Sequence, residues 1–257
     1  MPSAGHQPAI TLLVVQLTGH STTRPPTRSA AALLPAAGAG SRLGAIGRRL
    51  PKGLLRVGKE TLLGHMVTRL RRLGVDDIFV VTGHRASAVR AELDESVGYF
   101  HNATYATSGI LDSVLRARAH LAGRRFIVSA ADNYASPALL QRCLEADADV
   151  VSAVRRSAGS IPVTTRSGHL IRTRAEDVAG EVGEYCGISV LSPEASAIFF
   201  ERARALSRSG GLIVDVIAAI GNGRLAGEIV WCGDDEWSDV DTIADLARVR
   251  SMAARGN

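Results

Sequence analysis

The stretch Leu33-Leu34-Pro35-Ala36-Ala37-Gly38-Ala39-Gly40-Ser41-Arg42-Leu43-Gly44 joins a short apolar run to a loop of small residues. Small residues leave backbone N–H groups uncovered, so that the oxygens of a polyphosphate can approach them closely. Pro51-Lys52-Gly53 follows, and Arg42 and Lys52 place two cations near this loop. A plain glycine-rich turn between a strand and a helix would look similar, but the two cations favour a phosphate-binding loop.

Two common phosphate-binding motifs do not fit this part of the chain. The dinucleotide motif G-x-G-x-x-G fits at Gly38 and Gly40, but Leu43 stands in the place of the third glycine. The P-loop motif G-x-x-x-x-G-K-[ST] fits residues 53–59, but Glu60 stands where a hydroxyl should hold magnesium. A carboxylate at that point would repel phosphates, so residues 53–60 are predicted to form a strand and a turn.

The composition favours an α/β protein that binds small anions rather than nucleic acid or a membrane. Hydrophobic residues make up 46% of the 257 positions, enough for a sizeable core, while aromatic residues reach only 4%. The net charge of +5 suits anionic ligands, but no aromatic and basic cluster offers a platform for stacking bases. No apolar run has the length of a membrane span, and residues 10–17 lack the basic flank of a signal peptide.

The cysteines predict neither a zinc site nor a disulfide framework. Cys143, Cys186 and Cys232 are far apart in sequence, odd in number and without a C-x-x-C pair. Free thiols in a reducing cytoplasm are therefore the expected state.

The chain is predicted to consist of an extension followed by a single domain. Residues 1–29 contain a Pro-Pro pair with polar flanks, which is typical of a disordered extension or linker. Residues 30–255 are expected to form one domain, with a phosphate-binding half at 30–154 and a half at 155–255 that binds a second substrate.

Short apolar strands alternate with amphipathic helices in the first half, which predicts a doubly wound, mostly parallel α/β sheet. Strands are expected at residues 30–34, 78–81, 97–100, 126–128 and 150–154. Helices are expected at residues 62–73, 86–93, 110–121 and 137–146, the first capped by Thr61 and the third by Ser108. Ligands of such sheets bind beyond the carboxyl ends of the strands, where the glycine loop, Gly83 and Asp132 all fall.

From residue 155 the pattern becomes mixed α+β, as expected of a portion that binds a second substrate. The segments 161–165 and 170–173 predict a hairpin with a turn at 167–168. The remaining elements are expected as strands at 181–191 and 229–231 and as helices at 193–206, 211–220 and 241–254.

Four stretches of this sequence resemble the sugar-phosphate nucleotidyltransferase superfamily (MobA-like, GT-A-like), above all its small cytidylyltransferases for phosphonates, phosphocholine or inositol phosphate. Residues 33–43 with Pro51-Lys52 are similar to the family's signature loop, and residues 78–84 to its strand ending in V-T-G-H. Residues 131–134 resemble D-A-D-N-Y, and residues 237–246 resemble W-x-D-V-D-T-x-x-D-L. The resemblance implies a GT-A or Rossmann-like fold and covers about residues 30–250.

The resemblance also implies a magnesium-dependent reaction. CMP would pass from CTP to a small phosphonate or phosphate acceptor, such as phosphonoformate, 2-aminoethylphosphonate or phosphocholine, and pyrophosphate would leave. An acceptor phosphate is already ionised at neutral pH, so positioning and charge neutralisation would carry the reaction without a nucleophilic side chain. The alternatives are a sugar-1-phosphate nucleotidyltransferase that uses UTP, GTP or ATP, and a non-catalytic nucleotide-binding module.

Roles for individual residues follow from the same resemblance. Arg42 and Lys52 are the expected catalytic cations, and Asp132 and Asp241 the expected ligands of one Mg²⁺, with Asp239 as the alternative at the second position. The expected nucleotide-binding residues are Leu34, Ala36, Ala37, Gly38, Gly40, Ser41, Arg42, Lys52, Thr82 and Gly83. Structural roles stay open at this point: an Asx turn for Asp132, a helix cap for Asp241, and solvent exposure for both cations.

The acceptor site is expected between residues 102 and 185. Residues 105–109, Tyr-Ala-Thr-Ser-Gly, resemble the Y-A-T-T-G stretch of phosphonate cytidylyltransferases, so Asn102, Thr107 and Ser108 are expected near the acceptor's anionic end. Two predictions for its far end conflict. An ammonium group would suit Glu184 and Tyr185 together with Glu181, whereas a second anion would suit the arginines at 155, 156, 166, 172 and 174.

Overall fold

The computed structural model describes residues 29–40, 43, 49–147, 149–154, 161–166, 169–172, 182–221, 227–233 and 236–255. The strands are β1 (Ala31–Ala36), β2 (Arg56–Val57), β3 (Glu60–Thr61), β4 (Ile78–Thr82), β5 (Gly98–His101), β6 (Phe126–Ser129), β7 (Asn133–Ala135), β8 (Asp149–Val154), β9 (Pro162–Arg166), β10 (His169–Arg172), β11 (Gly183–Leu191), β12 (Gly227–Cys232) and β13 (Trp237–Asp239). The α-helices are α1 (Leu62–Arg72), α2 (Ala86–Glu92), α3 (Ile110–Leu115), α4 (Arg118–Leu121), α5 (Pro137–Glu145), α6 (Pro193–Leu206), α7 (Ile213–Gly221) and α8 (Ile243–Arg255). No helix within these ranges is both long and apolar enough to cross a bilayer.

The central sheet confirms the predicted α/β class. Its strands follow the order β10-β9-β11-β6-β1-β4-β5, and β8 pairs with both β11 and β12. Strand β1 is parallel to β4 and β6, β4 is parallel to β5, and β8 is parallel to β12. Strand β11 runs antiparallel to β6, β8 and β9 and so joins the mixed second half to the parallel core; β9 and β10 are also antiparallel to each other.

Alternation along β1 explains why helices cover both faces of the sheet. Ala32 and Leu34 pack on one face with α1 and α5, while Ala31 and Leu33 pack on the other with α3, α6 and α7. Because successive strand residues point to opposite faces, an uninterrupted apolar run such as this one must be buried on both sides. The run therefore fixes β1 in the middle of the sheet, and the glycine loop follows directly at its carboxyl end.

The two-stranded sheet formed by β7 and β13 was not predicted. Strands β7 and β13 are antiparallel, with Asp239 opposite Asn133 and Trp237 opposite Ala135. The Val240 N–H also donates to the carbonyl oxygen of Asp132 at 3.1 Å. This pairing joins the carboxyl end of β6 to the segment that precedes α8.

Two helix starts differ from the prediction. The helix expected at 110–121 is divided into α3 and α4, and its N-cap is Gly109, whose N–H donates to Asp112 Oδ2 at 3.1 Å. Ser108 instead accepts a hydrogen bond from Asn102. At α8, the Asp245 N–H donates to Thr242 Oγ1 at 3.2 Å, so Thr242 provides the cap, a structural role that the sequence had left open for Asp241.

Other expectations for local structure are confirmed. Thr61 caps α1, accepting the Gly64 N–H at 3.0 Å, and the predicted hairpin forms from β9 and β10. The three cysteines are buried free thiols, although Cys186 Sγ and Cys232 Sγ come within 3.4 Å of each other. The hairpin turn at 167–168 and residues 1–28 of the expected extension lie outside the described residues.

Candidate active site

A cavity of about 310 Å³ opens beside the glycine loop, at the carboxyl ends of β1 and β6. Seven residues that were predicted as site residues line it: Ala36, Ala37, Gly38, Gly40, Lys52, Ser108 and Asp132. Tyr105, Gly109 and Ile110 also line the cavity. Ser41 and Arg42 lie outside the described residues, so their predicted roles stay predictions.

Three residues predicted to bind nucleotide do not line the cavity: Leu34 and Thr82 are buried in the core, and Gly83 packs against Ala37 of the glycine loop. Leu34 is fully buried in the core, and Thr82 is buried with its Oγ1 donating to the Phe100 carbonyl oxygen at 3.1 Å. A Cβ placed on Gly83 would lie 2.8 Å from the Cβ and the carbonyl oxygen of Ala37. Only glycine therefore allows the β4 loop to press against Ala37 and hold it in place.

Lys52 reaches the cavity because of the turn in which it lies. Pro51 precedes a single 3-10 turn, Lys52–Leu54, and Gly53 packs so closely on Ala131 that a Cβ there would lie 3.2 Å from the Ala131 Cβ. Ala131 immediately precedes Asp132 in sequence. The absence of a side chain at Gly53 thus brings the Lys52 ammonium next to the Asp132 carboxylate.

Lys52 is the point at which the two predicted metal ligands meet. Its Nζ lies 3.0 Å from Asp132 Oδ2 and also contacts Asp241 Oδ1. Burial opposes the charged form of Lys52, but the Asp132 charge and the hydrogen bonds with both carboxylates outweigh it and raise the pKa of Lys52. The side chain therefore remains an ammonium at neutral pH.

Asp239 has a different environment from the other two carboxylates. Burial, followed by the negative charges of Asp241 and Asp132, raises the pKa of Asp239 above its ordinary value. Asp132 and Asp241 both contact Lys52 through their carboxylates, whereas Asp239 lies beside them without such a contact. Of the two candidate ligands at this end of the site, Asp241 is the one for which a contact with Lys52 is described, and its role as a metal ligand stays a prediction.

The donor set fits a magnesium ion. Asp132 and Asp241 already converge on one cation, the Lys52 ammonium, and their oxygens are the hard ligands that Mg²⁺ prefers. Within the described ranges, no three His, Cys, Asp or Glu side chains form a complete metal cage. Mg²⁺ beside a nucleotide is usually coordinated by one or two protein carboxylates, and phosphate and water oxygens fill its other coordination positions.

Asn102 organises the loop before α3 and does not reach toward a ligand. Its amide nitrogen donates to Ser108 Oγ and Ser113 Oγ, each at 3.0 Å. Its Oδ1 accepts from the N–H of Thr104 at 3.1 Å and from its hydroxyl at 2.9 Å. The amide therefore uses its hydrogen-bonding capacity within the loop, and of Asn102, Thr107 and Ser108 only Ser108 lines the cavity.

A second cavity, of about 240 Å³, adjoins the first at Ile110, Ala130 and Asp132. Glu184 and Tyr185, both predicted to bind the acceptor, line it. The Tyr185 hydroxyl is hydrogen-bonded to Ser189 Oγ at 2.8 Å, and burial raises its pKa well above the ordinary value. Glu181 and Arg155, Arg156 and Arg174 lie outside the described residues, as do the side chains of Arg166 and Arg172.

Sequence reasoning missed the residues that hold Asp132 in place. Asn133 Nδ2 donates to the Cys186 carbonyl oxygen at 3.1 Å and to Ser129 Oγ at 3.3 Å, which ties the Asp132 loop to β11. Gly187 has φ of 72°, and a Cβ there would lie 2.7 Å from Asn133 Nδ2. The pair Asp132-Asn133 was visible in the sequence, but nothing local indicated the partner strand.

Gly187→Ala is expected to lower the free energy of unfolding by about 2–4 kcal/mol. Two costs add: an alanine is strained in the left-handed backbone conformation, and its Cβ would displace the buried Asn133 amide. Gly210→Ala is the matched control: Gly210 also has φ of 72°, but a Cβ there meets nothing within 4 Å. It should lose only about 1–2 kcal/mol. Urea unfolding of both variants checks the difference, and equal losses would show that the Asn133 contact contributes nothing.

Similarity to known proteins identifies the family. Residues 32–193, more than half of the chain, match the MobA-like NTP transferase domain. The chain belongs to this family. The predicted nucleotidyltransferase class is thereby confirmed, and with it the predicted enzyme activity in its general form.

Individual relatives agree with this assignment. Over 153 residues, 57% of this chain, the sequence is 35% identical to a CMP-5'-(3-aminopropyl)phosphonate synthase of Streptomyces rubellomurinus, and the match spans 23% of that relative's length. The structure of CTP:phosphocholine cytidylyltransferase from Streptococcus pneumoniae superposes with a TM-score of 0.69 at 19% identity, covering 88% of this chain and 99% of the other.

A third similarity points to the same fold with a different substrate. A Bacillus anthracis protein described as a glucose-1-phosphate thymidylyltransferase superposes with a TM-score of 0.73 at 18% identity, covering 89% of this chain and 97% of the other. At such low identities the two structural similarities confirm the GT-A-like fold alone.

Proposed function

We propose that this protein is a magnesium-dependent cytidylyltransferase that transfers CMP from CTP to a small phosphonate or phosphate acceptor and releases pyrophosphate. The observation that carries the proposal is the position of Lys52, Asp132 and Asp241. They meet beside the glycine loop, and Asp132 lines both the first and the second cavity. A nucleotide in the first cavity and an acceptor in the second would therefore adjoin at the charged group.

In the proposed reaction, an acceptor oxygen attacks the α-phosphorus of the nucleotide as the bond to pyrophosphate breaks. The backbone N–H groups of the glycine loop would bind the phosphates, with Arg42 at the leaving pyrophosphate. The Lys52 ammonium would neutralise charge on the α-phosphate and on the approaching acceptor, two anions that otherwise repel each other. Positioning and charge neutralisation together would supply the rate enhancement.

Asp132 and Asp241 would hold the magnesium ion. When bound, the ion would neutralise negative charge on the phosphate oxygens. Before the metal binds, the Lys52 ammonium would hold the two carboxylates near each other. Without a cation between them, their negative charges would repel each other.

The choice of CTP and of a phosphonate rests on similarity in sequence. The synthase from Streptomyces rubellomurinus carries CMP and an aminoalkylphosphonate in its name, and it matches this chain at 35% identity. A sugar-1-phosphate nucleotidyltransferase is the alternative, since a thymidylyltransferase shares the fold.

A pyrophosphate-release screen tests the proposal. The protein would be incubated with Mg²⁺, each of the four nucleoside triphosphates, and phosphonoformate, 2-aminoethylphosphonate, phosphocholine, inositol phosphate or a hexose-1-phosphate. We expect turnover with CTP and a small phosphonate or phosphate, and its loss when EDTA removes the metal. Turnover only with UTP and a hexose phosphate would establish the alternative, and nucleotide binding without turnover would indicate a non-catalytic module.

A further inference from the structure

The carboxylate of Asp245, in the first turn of α8, holds the backbone of the predicted metal ligand Asp241. Asp245 Oδ2 accepts a hydrogen bond from the Asp241 N–H at 3.1 Å. The same oxygen accepts the N–H and the hydroxyl of Thr242, at 2.7 and 2.8 Å. Thr242 accepts the Asp245 N–H in return, so the two residues form a capping box. A capping box needs only the N-cap residue, and the additional bond to Asp241 therefore does more than begin the helix.

Helix α8 packs against the segments that carry all three members of the charged group. Its buried residues share one apolar cluster with Leu55, Tyr134 and Val240. Each of these three lies within three residues, in sequence, of Lys52, Asp132 or Asp241. The helix is thus a common support for the three segments.

Two arginines of α8 add hydrogen bonds to the same region. Arg250 Nε donates to the Arg56 carbonyl oxygen at 3.1 Å, and Arg248 Nη2 donates to the Trp237 carbonyl oxygen at 3.2 Å. Arg56 is in β2, which follows the turn of the catalytic lysine, and Trp237 begins β13, which leads into the second metal ligand. These bonds and the apolar cluster fix α8, so a residue held by its first turn is fixed relative to the whole site.

We propose, on the basis of the function proposed above, that Asp245 is a positioning residue for the metal site. By holding the Asp241 backbone on α8, Asp245 would keep the Asp241 carboxylate next to that of Asp132, where one magnesium ion can bind both. Groups that orient a metal ligand in this way typically account for about 10–100-fold in metal affinity.

Two substitutions separate positioning from a simple effect of charge. Asp245→Ala removes the acceptor, and we expect the dissociation constant for Mn²⁺ to rise about tenfold or more. Mn²⁺ is the probe because it prefers the same oxygen ligands as Mg²⁺. Asp245→Asn removes the negative charge but keeps one oxygen, and all three hydrogen bonds use one oxygen. We expect this variant to stay within roughly threefold of the parent, since a charge at a partly exposed position contributes little.

The measurement is an electron paramagnetic resonance titration of Mn²⁺ without nucleotide, which does not depend on turnover. The magnesium concentration for half-maximal pyrophosphate release should rise in parallel. Ser192→Ala is the matched control for the loss of a helix cap, because Ser192 Oγ accepts the Ala195 N–H at the start of α6 at 3.1 Å. Ala195 packs in the apolar cluster on the opposite face of the sheet from α1 and α5. The control should lower the midpoint of thermal unfolding but leave the Mn²⁺ affinity unchanged.

The outcomes distinguish this inference from the proposed function. A parent protein that neither binds Mn²⁺ nor releases pyrophosphate in a magnesium-dependent reaction would contradict the proposed function itself. If the parent binds the metal and Asp245→Ala binds it equally well, the positioning role is overturned and the proposed function stands. An equal loss of affinity in Asp245→Asn and Asp245→Ala would also overturn it, because the effect would then be one of charge.

Discussion

Asp132→Asn is expected to lower kcat for pyrophosphate release by about 10²–10³-fold, the range found when one charge-stabilising group is removed from an active site. The asparagine keeps the size of the side chain but removes the negative charge proposed to hold magnesium and, in the structure, to contact Lys52. Steady-state kinetics over a magnesium titration checks this, since a lost metal ligand should also raise the magnesium concentration needed for half-maximal activity.

Folding should change far less than activity in this variant. Asp132 is 27% exposed, Lys52 keeps its contact with Asp241, and removing one carboxylate relieves repulsion with Asp239 and Asp241. We therefore expect the free energy of unfolding to stay within about 2 kcal/mol of the parent value. Asp77→Asn is the control, because Asp77 forms an exposed ion pair with Arg124 just before β4, at the amino end of the sheet. Near-normal activity of Asp132→Asn at low magnesium would refute the metal assignment.

Lys52→Met is expected to lower kcat/KM by about 10²–10³-fold as well. Methionine keeps an unbranched side chain of similar length but cannot neutralise the α-phosphate or the acceptor. The loss should appear in kcat at saturating nucleotide, because the proposed interaction of the Lys52 ammonium with the α-phosphate is stronger in the transition state than in the bound substrates. Saturation kinetics for both substrates would show this, with Lys59→Met, an exposed lysine in the turn between β2 and β3, as the control.

The same variant makes a second, independent prediction about stability. Without the Lys52 ammonium, Asp132 and Asp241 lose the cation that both contact, and the free energy of unfolding should fall by roughly 1–2 kcal/mol in a metal-free buffer. Added Mg²⁺ should restore more stability to Lys52→Met than it adds to the parent protein, since bound ions stabilise the folded state that holds them. Equal magnesium effects on the two proteins would contradict a shared cation site.

The local sequence determined much of this protein. Uninterrupted apolar runs predict β1, β4, β6 and β8 as strands covered on both faces. Thr61 and the helical spacing of the apolar residues after it predict α1, because such patterns depend only on neighbouring residues. Small residues after β1 likewise predict a loop that phosphates can approach. The fold class and the position of the first cavity beside the glycine loop followed from these patterns.

The assembly of the charged group was decided only by the tertiary structure. Lys52 is 80 residues from Asp132 and 189 from Asp241, and the three meet because two three-residue strands, β7 and β13, pair with each other. Strands this short have too little pattern to be predicted, and their partner depends on how the whole chain packs. The resemblance to a family supplied the two aspartates. The roles of Asn102 in organising its loop and of Thr242 as the cap of α8 depend on contacts that no local pattern encodes.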